Sequence, residues 1–324
     1  MNKILLVLIC FILLGGISYA QTAPSREEVR QYRVQYGFQE KVTTTYKMTC
    51  STTIERTDEL GNTQIFNREI VVYLNYYRPS ALSDGFAEIR TMFDSIVYRY
   101  DDGDNKFHWS SHTAFTGKFP QCEDYVNTIF PMLGAYYFTT ISPYFEVAKI
   151  ESERLEEKRF EIEKITNPFT KATWEKAYSD DNLLFYSDMN KNVIRNGRFA
   201  IDSAWKMQFV IPIEGIRYVC DTADVKFYLY DGRNFNIKAE MQSMYPNTND
   251  SACVIGISNA MLTPDSTSFS KGFWDIAVSP RGVIDKIIGR FETTANYTID
   301  ENKFTDKITT NIRYEFLTTT RFAD

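Results

Sequence analysis

The 324-residue sequence predicts a mainly β fold of the α+β kind, with long antiparallel, curved sheets in two similar halves joined by a helical segment. Three features predict it. Long stretches alternate apolar with polar residues, short Gly/Asp/Asn clusters punctuate them, and one stretch alone shifts to spacings of three and four.

In chain order, Val42, Tyr46, Met48, Cys50 and Ile54 share one face while Thr43, Thr45, Lys47, Thr49 and Glu55 share the other, the period of a half-buried strand. The run DELGN at 58–62 turns the chain into a second alternating run through Phe66, Ile70, Val72, Leu74 and Tyr76, which completes a hairpin. After Ser83-Asp84-Gly85 a third run carries Ile89, Thr91, Phe93 and Val97, and Asp101–Asp104 turns it into KFHWS. FEVAKI at 145–150 and RFEIEKI at 159–165 read as a further hairpin around the charged ESERLEEK. Between Pro168 and Asn196, Trp174, Ala177, Tyr178, Leu183, Leu184, Tyr186 and Met189 have helical spacing, and Asn196-Gly197 supplies a stop. A shorter helix within 122–138 would be broken at Pro131.

Strands return with Trp205, Met207, Phe209 and Ile211, then Val225, Phe227 and Leu229, then Phe235, Ile237, Ala239 and Met241, the last two runs separated by the turn DGRN. FWDIAVSPRGVIDKI adds a hairpin with Pro280 and Gly282 at its turn, and Ile308, Thr310, Ile312, Tyr314 and Phe316 form a closing strand. The division expected is a β-rich half over 21–165, a helical connector over 166–204 and a second β-rich half over 205–324. The pattern leaves open whether the halves share one sheet.

Residues 1–20 read as a secretory signal peptide: a cationic start at Met1-Asn2-Lys3, the apolar ILLVLICFILLGG, and Ser18-Tyr19-Ala20 before the cleavage point. The apolar run is shorter than the roughly 20 residues a spanning helix needs. Cys10 sits mid-run, away from any lipid-attachment position, and no later segment is apolar for a spanning length. The expectation is an exported, soluble protein of the periplasm, with the cell surface or medium as alternatives. The ending TTTRFAD lacks a Lys-rich secretion tail, which favours the periplasm. A net charge of -6 without a basic stripe excludes nucleic acid as a partner. The 15% aromatic content suits pleated strands or an apolar binding surface.

Cys50, Cys122, Cys220 and Cys253 remain after cleavage, and an oxidising compartment permits disulfides. Three pairings exist, of which Cys50–Cys122 with Cys220–Cys253 keeps each bridge inside one half; four buried free thiols are the alternative. His108 and His112 lie on a strand, where four residues separate them by about 13 Å, too far for one metal ion. Asp101, Asp102 and Asp104 surround Gly103 without the Glu that would close a calcium loop. The sequence holds no GxSxG, GxGxxG or phosphate loop, so no catalytic, cofactor or metal residue is assigned and no cofactor is expected. Asp followed by Ser or Thr and a small, aliphatic or Thr residue recurs, which makes Ser95, Ser203, Thr222, Ser251 and Ser266 candidate O-glycosylation acceptors; the same residues also favour turns.

The signal peptide, TTTYKMTCSTTIE, FDSIVY and FWDIAVSPRGVIDKI together resemble an uncharacterised family of exported, strand-rich Bacteroidetes proteins, a domain of unknown function. The resemblance implies a Tyr- and Thr-rich first strand and export, and brings no activity or functional residues. The function expected is a periplasmic binding or envelope-support protein with an apolar or aromatic surface, whose partner is a lipid, another apolar ligand or an envelope protein. Its rivals are a structural interaction module and a hydrolase with an unrecognised carboxylate site.

Overall fold

The computed structural model describes residues 30–35, 39–79, 82, 84–113, 132–134, 136–144, 146–191, 193–194, 196–257 and 260–321. The fold is mainly β: of the described residues, 60% are in strands and 11% in helices. Twelve strands form one sheet. In spatial order these are β7 (Val147–Glu151), β6 (Tyr136–Ile141), β4 (Ala87–Asp101), β3 (Thr63–Arg78), β2 (Val42–Asp58), β16 (Asn302–Arg321), β15 (Ile284–Ile299), β14 (Phe269–Val278), β11 (Phe235–Pro246), β10 (Ile216–Tyr230) and β9 (Ala204–Ile213). Strand β5 (Lys106–Ser110) shares the outer edge of β4 with β6. All neighbours along this order are antiparallel. Two short pairs stand apart, β1 (Gln31–Tyr32) with β8 (Phe199–Ala200), and β12 (Ala252–Cys253) with β13 (Met261–Leu262).

The first and second runs of strands meet at β2 and β16, which pair from Val42↔Arg321 to Asp58↔Phe304. The alternation read from β2 sets the result: Met48, Thr52 and Ile54 are buried, and so are Tyr314, Thr310 and Ile308 opposite them. Register shifts interrupt the ladder at Tyr73/Leu74, Cys220/Ala223, Met241/Met244 and Phe316/Thr318. Such bulges bend a strand and increase its twist.

Three helices follow β7: α1 (Glu153–Glu163), α2 (Pro168–Ala177) and α3 (Asp180–Ser187). Each starts at a side-chain cap, with Ser152, Asn167 and Ser179 accepting from the backbone N–H three residues on, as helix N-termini require. The segment 159–165 is therefore not the second arm of a hairpin, and the helical stretch opens at Glu153 rather than at 166. The apparent alternation of Phe160 and Ile162 misled: Phe160 is exposed, while Leu155 and Ile162 are the buried pair. A spacing of seven places those two on one helical face, and Ser152 with the Glu-rich first turn is a helix start. Of the short helix considered for 122–138, residues 136–138 are strand β6, and most of the remainder lies outside the described residues.

Two glycines determine how closely the aromatic core packs. Gly289 pairs with Trp274, and Gly272 pairs with Phe291. A methyl group at Gly289 would lie 2.2 Å from the Trp274 ring, and one at Gly272 would lie 2.4 Å from both the Arg290 carbonyl and the Phe291 ring. Each ring thus covers the glycine on the neighbouring strand, and Trp274 is fully buried. Gly289→Ala is expected to cost about 3 kcal/mol in a urea titration, the upper range for overpacking a core. A loss below about 1 kcal/mol would show that the ring moves aside freely.

Candidate ligand-binding cleft

The register of three strands builds the floor of a cleft. Arg68 on β3, Thr52 on β2 and Thr310 on β16 lie opposite one another, and the next row on the same face is Ile70, Cys50 and Ile312. A polar row therefore crosses an otherwise apolar floor. Helices α2 and α3 cover it with Thr173, Lys176, Ala177, Asn182, Phe185 and Tyr186. The β9–β10 turn and the segment 252–261 form its wall. The space enclosed is about 150 Å³.

The cover is held by tyrosines rising from the sheet. Tyr137 Oη donates to the Leu183 carbonyl at 2.9 Å, Tyr314 Oη to Phe185 at 3.1 Å and Tyr76 Oη to Tyr186 at 2.6 Å. The Phe185 and Tyr186 carbonyls belong to the last turn of α3, where acceptors lack a helical N–H partner, while the Leu183 carbonyl also accepts from Ser187 Oγ at 2.9 Å. Burial pushes all three phenols above the usual tyrosine range, so they remain protonated donors through neutral pH. Lys191 Nζ also donates to the Phe185 carbonyl and lies 4.5 Å from the Tyr314 ring centroid. Burial lowers the Lys191 pKa to about 7, against the helix C-terminus and the aromatic face, which favour its charged form.

The wall is tied down by cations. Arg56 forms a bidentate pair with Asp306 at 2.7 and 2.8 Å, and its remaining nitrogen donates to the Ile255 carbonyl at 2.8 Å. Arg217 pairs with Asp250 at 2.8 Å and reaches Asp181 of α3 at the same distance. Burial opposes ionisation of Asp250, but the hydrogen bonds and charge of Arg217 prevail and hold its carboxyl below the usual range. Glu214 and Gly215 form the tight β9–β10 turn, with φ of 48° and 78°. A left-handed glutamate is unusual there, and its carboxylate is ion-paired to the buried Arg68.

Lys176 lies in the cover. Its Nζ donates to the Ser251 carbonyl at 2.7 Å, and among the described residues it has no ion-pair partner. Burial lowers its pKa to about 8, against the opposing pull of Asp250 and Cys253. On the floor the Thr310 hydroxyl is buried without a hydrogen-bond partner.

Of the four cysteines, Cys50 and Cys253 line this cleft and Cys220 is buried on β10. The Cys253 sulfur packs 3.5 Å from Met261 Sδ and 3.5 Å from Thr173 Oγ1. Cys122, and any bridge to it, lies outside the described residues. Burial pushes the Cys50 thiol up to about 11, which leaves it uncharged and a poor nucleophile. Of the candidate glycosylation acceptors, Ser95 is buried in β4, Ser203 and Ser251 are half-buried, and Thr222 and Ser266 are exposed. Asp265 accepts from Thr267 N and Asp250 from Arg217 N, so two of the tripeptides have backbone roles of their own. His108 and His112 are exposed, and Asp102 accepts from Tyr100, Asp104 and Asn105 around its turn.

Two outcomes follow from Thr310 and Lys176. Thr310→Val should raise stability by about 1 kcal/mol in chemical denaturation, because it removes an unpaired buried hydroxyl at constant shape; a loss of stability would mean the hydroxyl is paired. Unfolded Lys176 titrates near 10.5 and the folded side chain near 8, so between these values the unfolded chain binds more protons and stability rises with pH. Stability of the native sequence relative to Lys176→Met should therefore increase by about 2 kcal/mol from pH 8 to 10.5, after discounting for partial exposure. A flat difference would show that Lys176 titrates normally.

No family model matches the chain, and no curated protein matches it. Among solved structures it is similar to a lipovitellin described for its lipid–protein interactions, at 8% identity and a TM-score of 0.42, over 89% of this chain and 26% of that one. The chain thus spans about a quarter of lipovitellin. It is also similar to OccK5 of Pseudomonas aeruginosa, at 7% identity and a TM-score of 0.27, over 87% of this chain and all of that one. Likenesses this distant identify neither a family nor a ligand.

Proposed function

We propose that this chain is an exported binding protein that holds a small, largely apolar ligand in the cleft between α2, α3 and the β2–β3–β16 floor. The observation that carries the reading is the lining itself: Met48, Ile70, Ile213, Val254 and Ile312 surround a few inward polar groups, the composition of a ligand pocket. Its volume of about 150 Å³ is what an apolar cavity needs for a single benzene ring, so the ligand is ring-sized, or inserts only one end of a longer body. Of a lipid, this volume suits an acyl terminus better than a whole acyl chain. The exported address is part of the proposal and is supported by the signal-peptide pattern of residues 1–20.

The rival readings have less support. The edge strand β9 carries Lys206 and Pro212, and β7 carries Lys149 and Glu151, residue types that discourage the strand addition an interaction module would use. Glu214 is the carboxylate among the cleft residues, and it is ion-paired to Arg68, which leaves no facing carboxylate pair for hydrolysis there.

Toluene tests the reading. At saturation it should raise the melting temperature by roughly 2 °C or more, through preferential binding to the folded state. Ala177→Phe, which fills the cleft from α2, should remove that shift while the chain remains folded. No shift in the native sequence, or an equal shift in the variant, would place the ligand elsewhere or nowhere.

A further inference from the structure

We propose that the ligand of this cleft is a small organic acid, an apolar body of about ring size carrying one carboxylate that pairs with Lys176. The inference rests on the cleft being a ligand site and adds the chemistry of its occupant.

Three charged side chains line the cleft: Arg68, Lys176 and Glu214. Glu214 is committed to Arg68, which leaves Lys176 as the uncompensated charge of the lining. Outside the lining, Asp250 is the acidic neighbour of Lys176, and Arg217 holds that carboxylate through both of its oxygens. The neighbouring Cys253 thiol lies against Met261 and Thr173. An ammonium has three donors. Ser251 takes one of them, and no described residue forms an ion pair with Lys176; Asp250 acts on it only through space while held by Arg217.

A partly buried cation without a partner is costly, and an arriving carboxylate would reverse that cost through charge-assisted hydrogen bonds. A cationic ligand would meet repulsion instead. The floor adds a second polar contact in the Thr310 hydroxyl, which is 5% exposed and unpaired. It can bond an oxygen-bearing group of the ligand but has nothing to offer a hydrocarbon. The rest of the lining is aliphatic, aromatic or already hydrogen-bonded, as with Asn182, whose amide donates to Ala177 O at 2.9 Å.

The test is calorimetric titration of the full exported chain with toluene, benzyl alcohol, benzoate and benzylamine, which share a ring and differ in charge and polarity. Benzoate should bind at least about tenfold tighter than benzyl alcohol, with benzylamine weakest, a difference expected of one desolvated charge pair. Lys176→Met should abolish the preference for benzoate over benzyl alcohol, while its circular dichroism and cooperative unfolding report that the variant is folded. Lys176→Arg should retain the preference. Thr310→Val should weaken the oxygen-bearing ligands several-fold and leave toluene unaffected. Toluene and benzyl alcohol binding as well as benzoate, or a benzoate preference that survives in Lys176→Met, would overturn the organic-acid assignment while leaving the cleft reading in place. Failure of all four probes, toluene included, would overturn both.

Discussion

The structure depends on a constraint at one short helix. The last turn of α3 ends against the sheet, and its carbonyls must find donors in an interior from which water is largely excluded. Tyr76 from β3, Tyr137 from β6 and Tyr314 from β16 supply them, each from a strand at a different place across the sheet. A tyrosine meets this need well, because its ring fills the core and its hydroxyl extends to the layer above. Helix α3 is thereby held at a fixed height, and the space beneath it and α2 becomes the cleft. If these phenols ionised they would lose the donated proton, and their burial prevents that at neutral pH.

The same economy governs the charged groups. Arg56, Arg68 and Arg217 are each paired with a carboxylate distant in sequence, Asp306, Glu214 and Asp250 respectively. Arg56 and Asp306 are cross-strand neighbours on β2 and β16, whereas the other two pairs join the cleft to turns or loops. Arg56 reaches the Ile255 carbonyl, Arg68 holds the strained Glu214 turn, and Arg217 spans from Asp250 to α3. Lys176 departs from this scheme. It is the cation of the cleft with no acidic partner among the described residues, and that contrast with three satisfied arginines is what directs attention to the ligand.

The strands were legible in the sequence because burial on one face imposes a period of two, and β2, β3, β4, β10, β11 and β14 all follow it. The turns at DELGN, DGRN and SPRG were legible for the same reason that they form: their residues suit tight reversals. Helix α1 was not, since Phe160 and Ile162 mimic alternation over a few residues and only the cap at Ser152 decides the matter. The hairpin joining β15 to β16 lacks the usual Asn-Gly signal: Asp300 and Glu301 adopt φ of 46° and 72° without a glycine. The cleft itself could not be read. Arg68, Thr310, Lys176 and Glu214 are far apart in sequence, and only the β2–β16 pairing, which no local pattern encodes, brings the two sides of its floor together. Cys50 and Cys253 were singled out as cysteines, and their shared place in the lining follows from topology and not from spacing.

The central claim is that sheet tyrosines hold the helical cover in place over a floor that is stable without it. Hydrogen–deuterium exchange on a Tyr76→Phe, Tyr314→Phe double variant tests it most directly. The amides of Leu184–Ser187 should exchange much faster than in the native sequence, while those of β2 and β16 keep their protection, because the strand ladder does not depend on the two hydroxyls. Unchanged protection in α3, or equal loss of protection in α3 and in the β2–β16 seam, would contradict the account.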